Sequence, residues 1–128
     1  MDRPCTISCV AADCVTHRAR VLLTQRWARE QPHLFFASVH PGWVETDGLK
    51  NAQAMASFYA LMRPSLRSAA AGADTVAWLC SKQARTKLSN GAYCWDRARR
   101  SIDLPFSGTR AREADVDELV AYLQHAVI

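Results

Sequence analysis

Three groups of residues in this chain are of types that do chemistry. The first is His40-Pro41-Gly42-Trp43, with Thr46 a little further on. It follows a short apolar run, and its Pro and Gly mark a loop at the carboxyl end of a strand, where open α/β sheets place their ligands. The second is Cys5, Cys9, Cys14 and His17, separated by three, four and two residues. Thiolates and an imidazole suit zinc, but the set has no paired C-x-x-C knuckle. Free thiols in an irregular segment are therefore the plainer reading, and no metal site is assigned. The third is Arg97, Arg99 and Arg100, a cationic cluster without the Gly-rich or aromatic ladder on which single strands stack; it reads as a solvated face, not a nucleic-acid surface. Ser38 lies close to His40 in sequence but lacks the G-x-S-x-G elbow of a serine nucleophile.

The elements that would position these residues follow from apolar spacing. Residues 1–12 mix Pro4, two cysteines and small residues without a sustained period and read as an irregular leader. Val15, Ala19, Leu22, Leu23 and Trp27 recur at helical spacing between Asp13 and Gln31, predicting an amphipathic helix stopped by Pro32. Leu34 to Val39 is a nearly continuous apolar run, as in parallel strands buried on both faces. Met55, Phe58, Tyr59 and Met62 give a second helix, closed by Pro64. Ser68 is the expected N-cap of a third, running through Ala73, Val76, Ala77 and Cys80. Ser89-Asn90-Gly91 reads as a turn and Ala92 to Trp95 as a second strand. Val116, Leu119, Val120 and Leu123 mark a last helix, with Glu113 and Asp115 at its positive end. The fold class expected is α/β with about two parallel strands and four helices.

Composition limits the setting. The chain has 128 residues, 49% apolar and 22% charged, within the range of folded globular proteins. Thirteen arginines and three lysines give a formal charge of +4, too modest to argue for a nucleic-acid partner. Five cysteines cannot all pair internally, and no secretory signal is evident, so an intracellular, cytoplasmic setting is expected. No apolar run approaches the ~20 residues of a membrane span.

From about Val15 to the C-terminus the chain resembles the last part of a short-chain dehydrogenase/reductase. That family runs from a catalytic helix to a strand, a Pro-Gly loop ending in Thr, a mobile substrate helix, a further helix and a final strand. The matching residues here are His40-Pro41-Gly42-Trp43-Val44-Glu45-Thr46, Arg67-Ser68, Gly72-Ala73-Asp74-Thr75 with Trp78-Leu79, Asp96-Arg97 and Leu104-Pro105-Phe106. The resemblance implies that residues 13–128 are the C-terminal, substrate-side portion of a doubly wound Rossmann-type sheet, an incomplete domain. It also implies a nicotinamide cofactor, NAD(P), met by Pro41, Gly42, Val44 and Thr46. The loop backbone would approach the carboxamide and the Thr hydroxyl would hydrogen-bond it. Trp43, Met55, Phe58, Tyr59 and Met62 would lie on the substrate side.

The same resemblance exposes two departures. The family's proton donor is a Tyr whose pKa is lowered by a Lys four residues on. Counting back from Leu22-Leu23-Thr24 and Trp27 places Asp13 and His17 at those positions. A carboxylate near neutral pH has no proton to give, and His lacks the long ammonium arm that reaches the ribose. Asp13 is instead expected as a helix N-cap and His17 as a surface residue. No glycine precedes Gly42, so these residues contain no Gly-rich diphosphate loop. The expected protein is a truncated or degenerate reductase-like chain without independent catalysis, which does not bind NAD(P) alone. A second expectation is an NAD(P)-dependent oxidoreductase acting on a carbonyl or alcohol, if a longer product supplies the other half. A third is a small zinc-binding or interaction module. The strand at Leu34 to Val39 would present an open edge, suited to self-association or to a partner chain.

Overall fold

The computed structural model describes residues 9–103, 106 and 110–126, with side chains from Thr16 onward. Helix α1 (Cys9–Glu30) contains neither Gly nor Pro and is built largely of Ala, Arg, Leu and Val, so little opposes helix over 22 residues. It begins four residues before Asp13, which therefore sits inside the helix; the expected N-cap role does not hold for it. The last four residues of the expected leader are likewise helical. The C-terminal end closes as predicted before Pro32, with the Gln31 amide donating to Trp27 O at 2.8 Å.

Strand β1 is shorter than the apolar run suggested. Only Ala37–Val39 pairs, each residue half-buried, and Leu34 is 50% exposed. The chain ahead of it is fixed by a side chain, because Asn90 Oδ1 accepts from the Phe36 amide at 2.7 Å. A run buried on both faces needs covering layers and neighbours on both sides. Here β1 is the edge of a three-stranded sheet, ordered β1, β2 (Ala92–Trp95), β3 (Ala98–Arg99).

The β1 and β2 strands are parallel, with Ala37, Ser38 and Val39 opposite Ala92, Tyr93 and Cys94. Strand β3 returns antiparallel through a two-residue turn in which both Asp96 and Arg97 have positive φ, 50° and 55°. Paired positive φ is the backbone of a type I′ hairpin. The crossover between the parallel strands carries four helices: α2 (Asp47–Asn51), α3 (Ala56–Met62), α4 (Ala69–Leu79) and α5 (Lys82–Lys87). Ser68 caps α4 as expected, accepting from the Ala71 amide at 3.2 Å, and Ser81 caps α5 in the same way. The final helix, α6 (Glu113–Ala126), packs along α1 through Arg26 and Arg29, which pair with Glu113 and Asp117. Among the described residues, no helix is long and apolar enough to cross a membrane.

The apolar core is small: Ala28, Ala84, Ala92, Cys94 and Val116 are buried, beside Thr75 and Gly72. These residues come from β2, from α1 and α6, which pack on each other, and from α4 and α5, which do likewise. Gly91 shows how close the packing is, since a Cβ there would come within 3.1 Å of the Ala28 Cβ.

Candidate functional site

At the carboxyl end of β1 the chain turns through His40, whose amide donates to Cys94 O at 2.9 Å and whose ring lies 5.0 Å from that of Trp95. The Gly42 amide donates back to His40 Nδ1 at 3.0 Å. Gly42 has φ +79°, a conformation that side-chain-bearing residues rarely adopt, so glycine is needed here for its backbone. It is also needed for space. A Cβ on Gly42 would lie 2.7 Å from Arg67 Cδ, because the Arg67 side chain crosses the turn.

Arg67 organises the loop. Its Nη1 donates to Pro41 O at 3.2 Å and its Nη2 to Asp96 Oδ1 at 2.6 Å, which ties the Pro-Gly turn to the β2–β3 hairpin. Its backbone pairs with the loop as well: the Arg67 amide donates to Trp43 O at 2.8 Å, and Arg67 O accepts from the Glu45 amide at 2.9 Å. In this parallel bridge the two bonds flank Val44. The amide and carbonyl of Val44 itself point away and have no backbone partner among the described residues. Free backbone polar groups in a fixed extended segment are a ready donor and acceptor for a planar amide.

Val44 is held from beneath by Gly72. A Cβ at Gly72 would fall 2.5 Å from Val44 Cγ2, so α4 approaches the loop as closely as it does only because residue 72 has no side chain. Two residues on, Asp74 receives two bonds from the Arg97 guanidinium, one of them 2.7 Å from Nε, and Thr75 Oγ1 accepts from the Arg97 amide at 3.2 Å. The guanidinium holds the Asp74 carboxyl below its ordinary pKa. Segments scattered between residues 40 and 97 thus form one cluster at the carboxyl ends of the two parallel strands.

Thr46 Oγ1 accepts from the Leu49 amide at 3.2 Å and caps α2. Accepting leaves its hydroxyl proton available for donation outward. On the other side of the loop, Trp43 stacks obliquely on Phe58, ring centroids 4.7 Å apart. The Tyr59 hydroxyl donates to Glu45 Oε1 at 2.7 Å, and this bond to a carboxylate raises its pKa. Tyr59 is therefore committed to Glu45 as a donor and is a poor acid. Lys50 Nζ stands 3.9 Å from the same carboxylate.

Of the expected site residues, Pro41, Gly42, Trp43, Val44 and Thr46 lie on the loop after β1, and Phe58 and Tyr59 lie on α3, joined to that loop by the Trp43–Phe58 ring contact and the Tyr59–Glu45 hydrogen bond. Met55 and Met62 are half-buried at the two ends of that helix. His17 is exposed on α1, while the Asp13 side chain lies outside the described residues, as do Cys5, Leu104 and Pro105 and the side chains of Cys9 and Cys14. Among the described residues no three His, Cys, Asp or Glu side chains gather in a metal-holding group. Sequence reasoning missed the clamp made by Arg67 and the hairpin residue Asp96. A cation just ahead of a helix-capping Ser gives no hint of a partner 29 residues away.

The residues present fit one end of a nicotinamide cofactor. Val44 offers a free amide and carbonyl, Thr46 a free hydroxyl proton, and Gly42 and Arg67 hold the turn rigid. For the diphosphate end, these residues hold no glycine loop.

The chain is similar to the bovine protein Dehydrogenase/reductase SDR family member 12, 39% identical over 107 residues, which is 84% of this chain and 33% of that protein. The human protein of the same name is 38% identical over the same share. A Streptomyces sp. (strain C5) protein named as a daunorubicin C-13 ketoreductase, DnrU, is 36% identical over 88 residues, 69% of this chain and 30% of that protein. The chain thus spans about a third of the length of the curated relatives it matches. No protein-family model matches it, and no solved structure does.

Proposed function

The chain is related to the short-chain dehydrogenases/reductases, and from that kinship we propose that it is the C-terminal, substrate-side portion of an NAD(P)-dependent reductase fold, without catalysis of its own. One observation carries the reading. Val44 is fixed between Arg67 and Gly72 with its amide and carbonyl unused, next to a Thr46 hydroxyl whose proton is free. The amide would donate to the carboxamide oxygen, while the carbonyl and Thr46 would engage the rest of that group. The cofactor, when bound, supplies the hydride. Trp43 and Phe58 would wall the substrate side and exclude water, and Tyr59, held by Glu45, would position that wall and take no part in proton transfer.

Two considerations argue against turnover by these residues alone. With Asp13 and His17 at the positions the family gives to Tyr and Lys, no proton donor of low pKa stands ready for a carbonyl oxygen. With no Gly-rich turn, the diphosphate loses the backbone amides that carry much of dinucleotide affinity. Calorimetric titration of the purified chain with NADPH and NADH tests the reading. Heats too small to fit a dissociation constant below about 100 μM are expected, since carboxamide contacts alone are few. Micromolar affinity for either cofactor, or reduction of any aldehyde or ketone by contaminant-free protein, overturns it.

A second reading is favoured by the position of β1. Strand β1 pairs on one side only among the described residues, and an unpaired strand edge favours a further strand. We propose that in a longer product this edge is paired and the whole acts as an oxidoreductase on a carbonyl or alcohol. Sequencing the full transcript decides between the two. A reading frame that supplies a Gly-rich loop and a Tyr in place of Asp13 supports the longer enzyme, and a stop codon directly upstream removes it.

A further inference from the structure

The Pro-Gly turn is held from inside by a side chain that can change its charge. His40 is the last residue before the turn, and its ring nitrogen nearer the backbone, Nδ1, accepts from the Gly42 amide at 3.0 Å. An imidazole that accepts at Nδ1 is neutral and carries its one proton on Nε2. The bond matters because Gly42 stands at φ +79° and its amide has no backbone partner among the described residues. An imidazolium has a hydrogen on both nitrogens and no lone pair to offer that amide.

We infer that His40 is a positioning residue for the loop, and that a proton taken up at Nδ1 releases Gly42 and loosens the Pro-Gly turn. Histidine side chains as a class change charge between about pH 5 and 8. Two effects act in the same direction. The first is loss of the acceptor. The second is charge: Gly42 is touched by the His40 ring and also by the Arg67 side chain, to which a Cβ at residue 42 would come within 2.7 Å. An imidazolium would therefore stand beside a guanidinium. The carboxylates of the surrounding elements are already engaged. Asp96 of the hairpin is bound by Arg67 at 2.6 Å, and Asp74 of α4 by Arg97. Glu45 of the same loop accepts from Tyr59 at 2.7 Å and has Lys50 3.9 Å away. On β2 the ring meets the uncharged Trp95. The backbone bonds on either side do not involve the ring: the His40 amide donates to Cys94 O, and Arg67 pairs with Trp43 and Glu45. The strand end and the bridge at Val44 are thus expected to survive, and the change is confined to the turn. In acid the loop would be less preorganised for the nicotinamide carboxamide. That consequence rests on the proposed role of the loop; the release of Gly42 does not.

The test needs no cofactor, so its outcome and that of the nicotinamide reading are separable. The ¹⁵N-labelled full chain is titrated from pH 8 to pH 5 and followed by NMR, with the His40 ring signals identified by their absence from H40N. At pH 8 the ring is expected as the Nε2–H tautomer. The Gly42 amide should then shift in step with the His40 ring, while the amides of Glu45 and Arg67 stay in place. H40N supplies a side-chain oxygen that accepts from the amide two residues on, as in an Asx-turn, and it does not titrate. It should hold Gly42 and abolish the pH dependence. H40A has no acceptor, and hydrogen exchange at Gly42 should be about fivefold faster than in H40N at the same pH, the worth of one net hydrogen bond. H40N carries the test if H40A does not fold. An Nδ1–H tautomer at pH 8, a Gly42 amide that ignores the titration of the His40 ring, or a pH-dependent Gly42 amide that persists in H40N overturns the proposal.

Discussion

Replacing Gly72 by Ala tests whether helix α4 positions Val44. In an exposed helix interior that change gains about 1 kcal/mol, because Ala is the better helix former. At Gly72 the new Cβ would meet Val44 Cγ2 at 2.5 Å and Cγ1 at 3.2 Å. Carbon atoms prefer about 3.5–4.0 Å, so the overlap at Cγ2 is about 1 Å. Val44 cannot easily yield. It is β-branched, with few rotamers open to it, and its backbone is held on both sides by the Arg67 bonds. Overpacking of this kind costs about 1–3 kcal/mol, which sets the net effect of Gly72→Ala at about 0–2 kcal/mol of destabilisation. Val44→Ala removes the methyl groups that clash, at a cost of about 1 kcal/mol for a half-buried side chain. On that background Gly72→Ala should stabilise. Urea denaturation of the four proteins gives the cycle, with a coupling of about 1–3 kcal/mol between the positions. If Gly72→Ala stabilises by the same amount with Val or Ala at position 44, the proposed contact does not position the loop.

Gly42→Ala combines a strained positive φ with displacement of the Arg67 side chain, and should cost about 1–3 kcal/mol. Its effect should be clearly smaller in an Arg67→Ala background, and equal urea-derived losses in both would refute the clamp. Burial raises the Cys94 thiol pKa against the opposing pull of Arg99, whereas Cys80 is exposed. Brief iodoacetamide treatment at pH 7.5 should therefore modify Cys80 and spare Cys94 by peptide mass spectrometry; equal labelling would show that Cys94 is accessible. Burial likewise raises the Tyr93 pKa. Groups whose folded pKa is raised give stability that is complete below the unfolded value and lost as pH rises through the folded value. The melting temperature should fall from about pH 8.5 upward, where an unfolded thiol begins to ionise, and a flat profile to pH 11 would contradict this. Asp74 is the opposite case, its pKa lowered by hydrogen bonds from Arg97. Its contribution is present above about pH 4 and lost as pH falls further, so Arg97→Gln should flatten the acid limb of the melting profile.

Most of the α/β order could be read from sequence because the signals were local. The Ser68 cap, the Ser89-Asn90-Gly91 turn and strand Ala92–Trp95 all fall where the residues indicated. Helices α2 and α5 were not legible, since five and six residues are too few for a period and their caps, Thr46 and Ser81, look like ordinary loop residues. Strand β3 was hidden for a different reason. Its turn uses Asp96-Arg97 where a type I′ hairpin ordinarily shows Asn-Gly. The positive φ values are held by tertiary contacts, Arg67 on Asp96 and Asp74 with Thr75 on Arg97. No window of neighbouring residues contains that information. The apolar run at Leu34 misled in its length, because hydrophobicity reports a wish for burial and not the presence of a layer to supply it.

The candidate site was legible in a different sense. Taken singly, the matched segments are a turn, an Arg-Ser pair, a Gly-Ala-Asp-Thr stretch and an Asp-Arg pair, none of which specifies chemistry. In space each supplies a contact to the same loop: Arg67 bridges Pro41 to Asp96, Gly72 admits Val44, and Asp74 and Thr75 fix the hairpin that carries Asp96. Together these segments form one mechanical support for the loop. This support is made of packing, backbone geometry and the ion pairs of Arg67 with Asp96 and of Arg97 with Asp74.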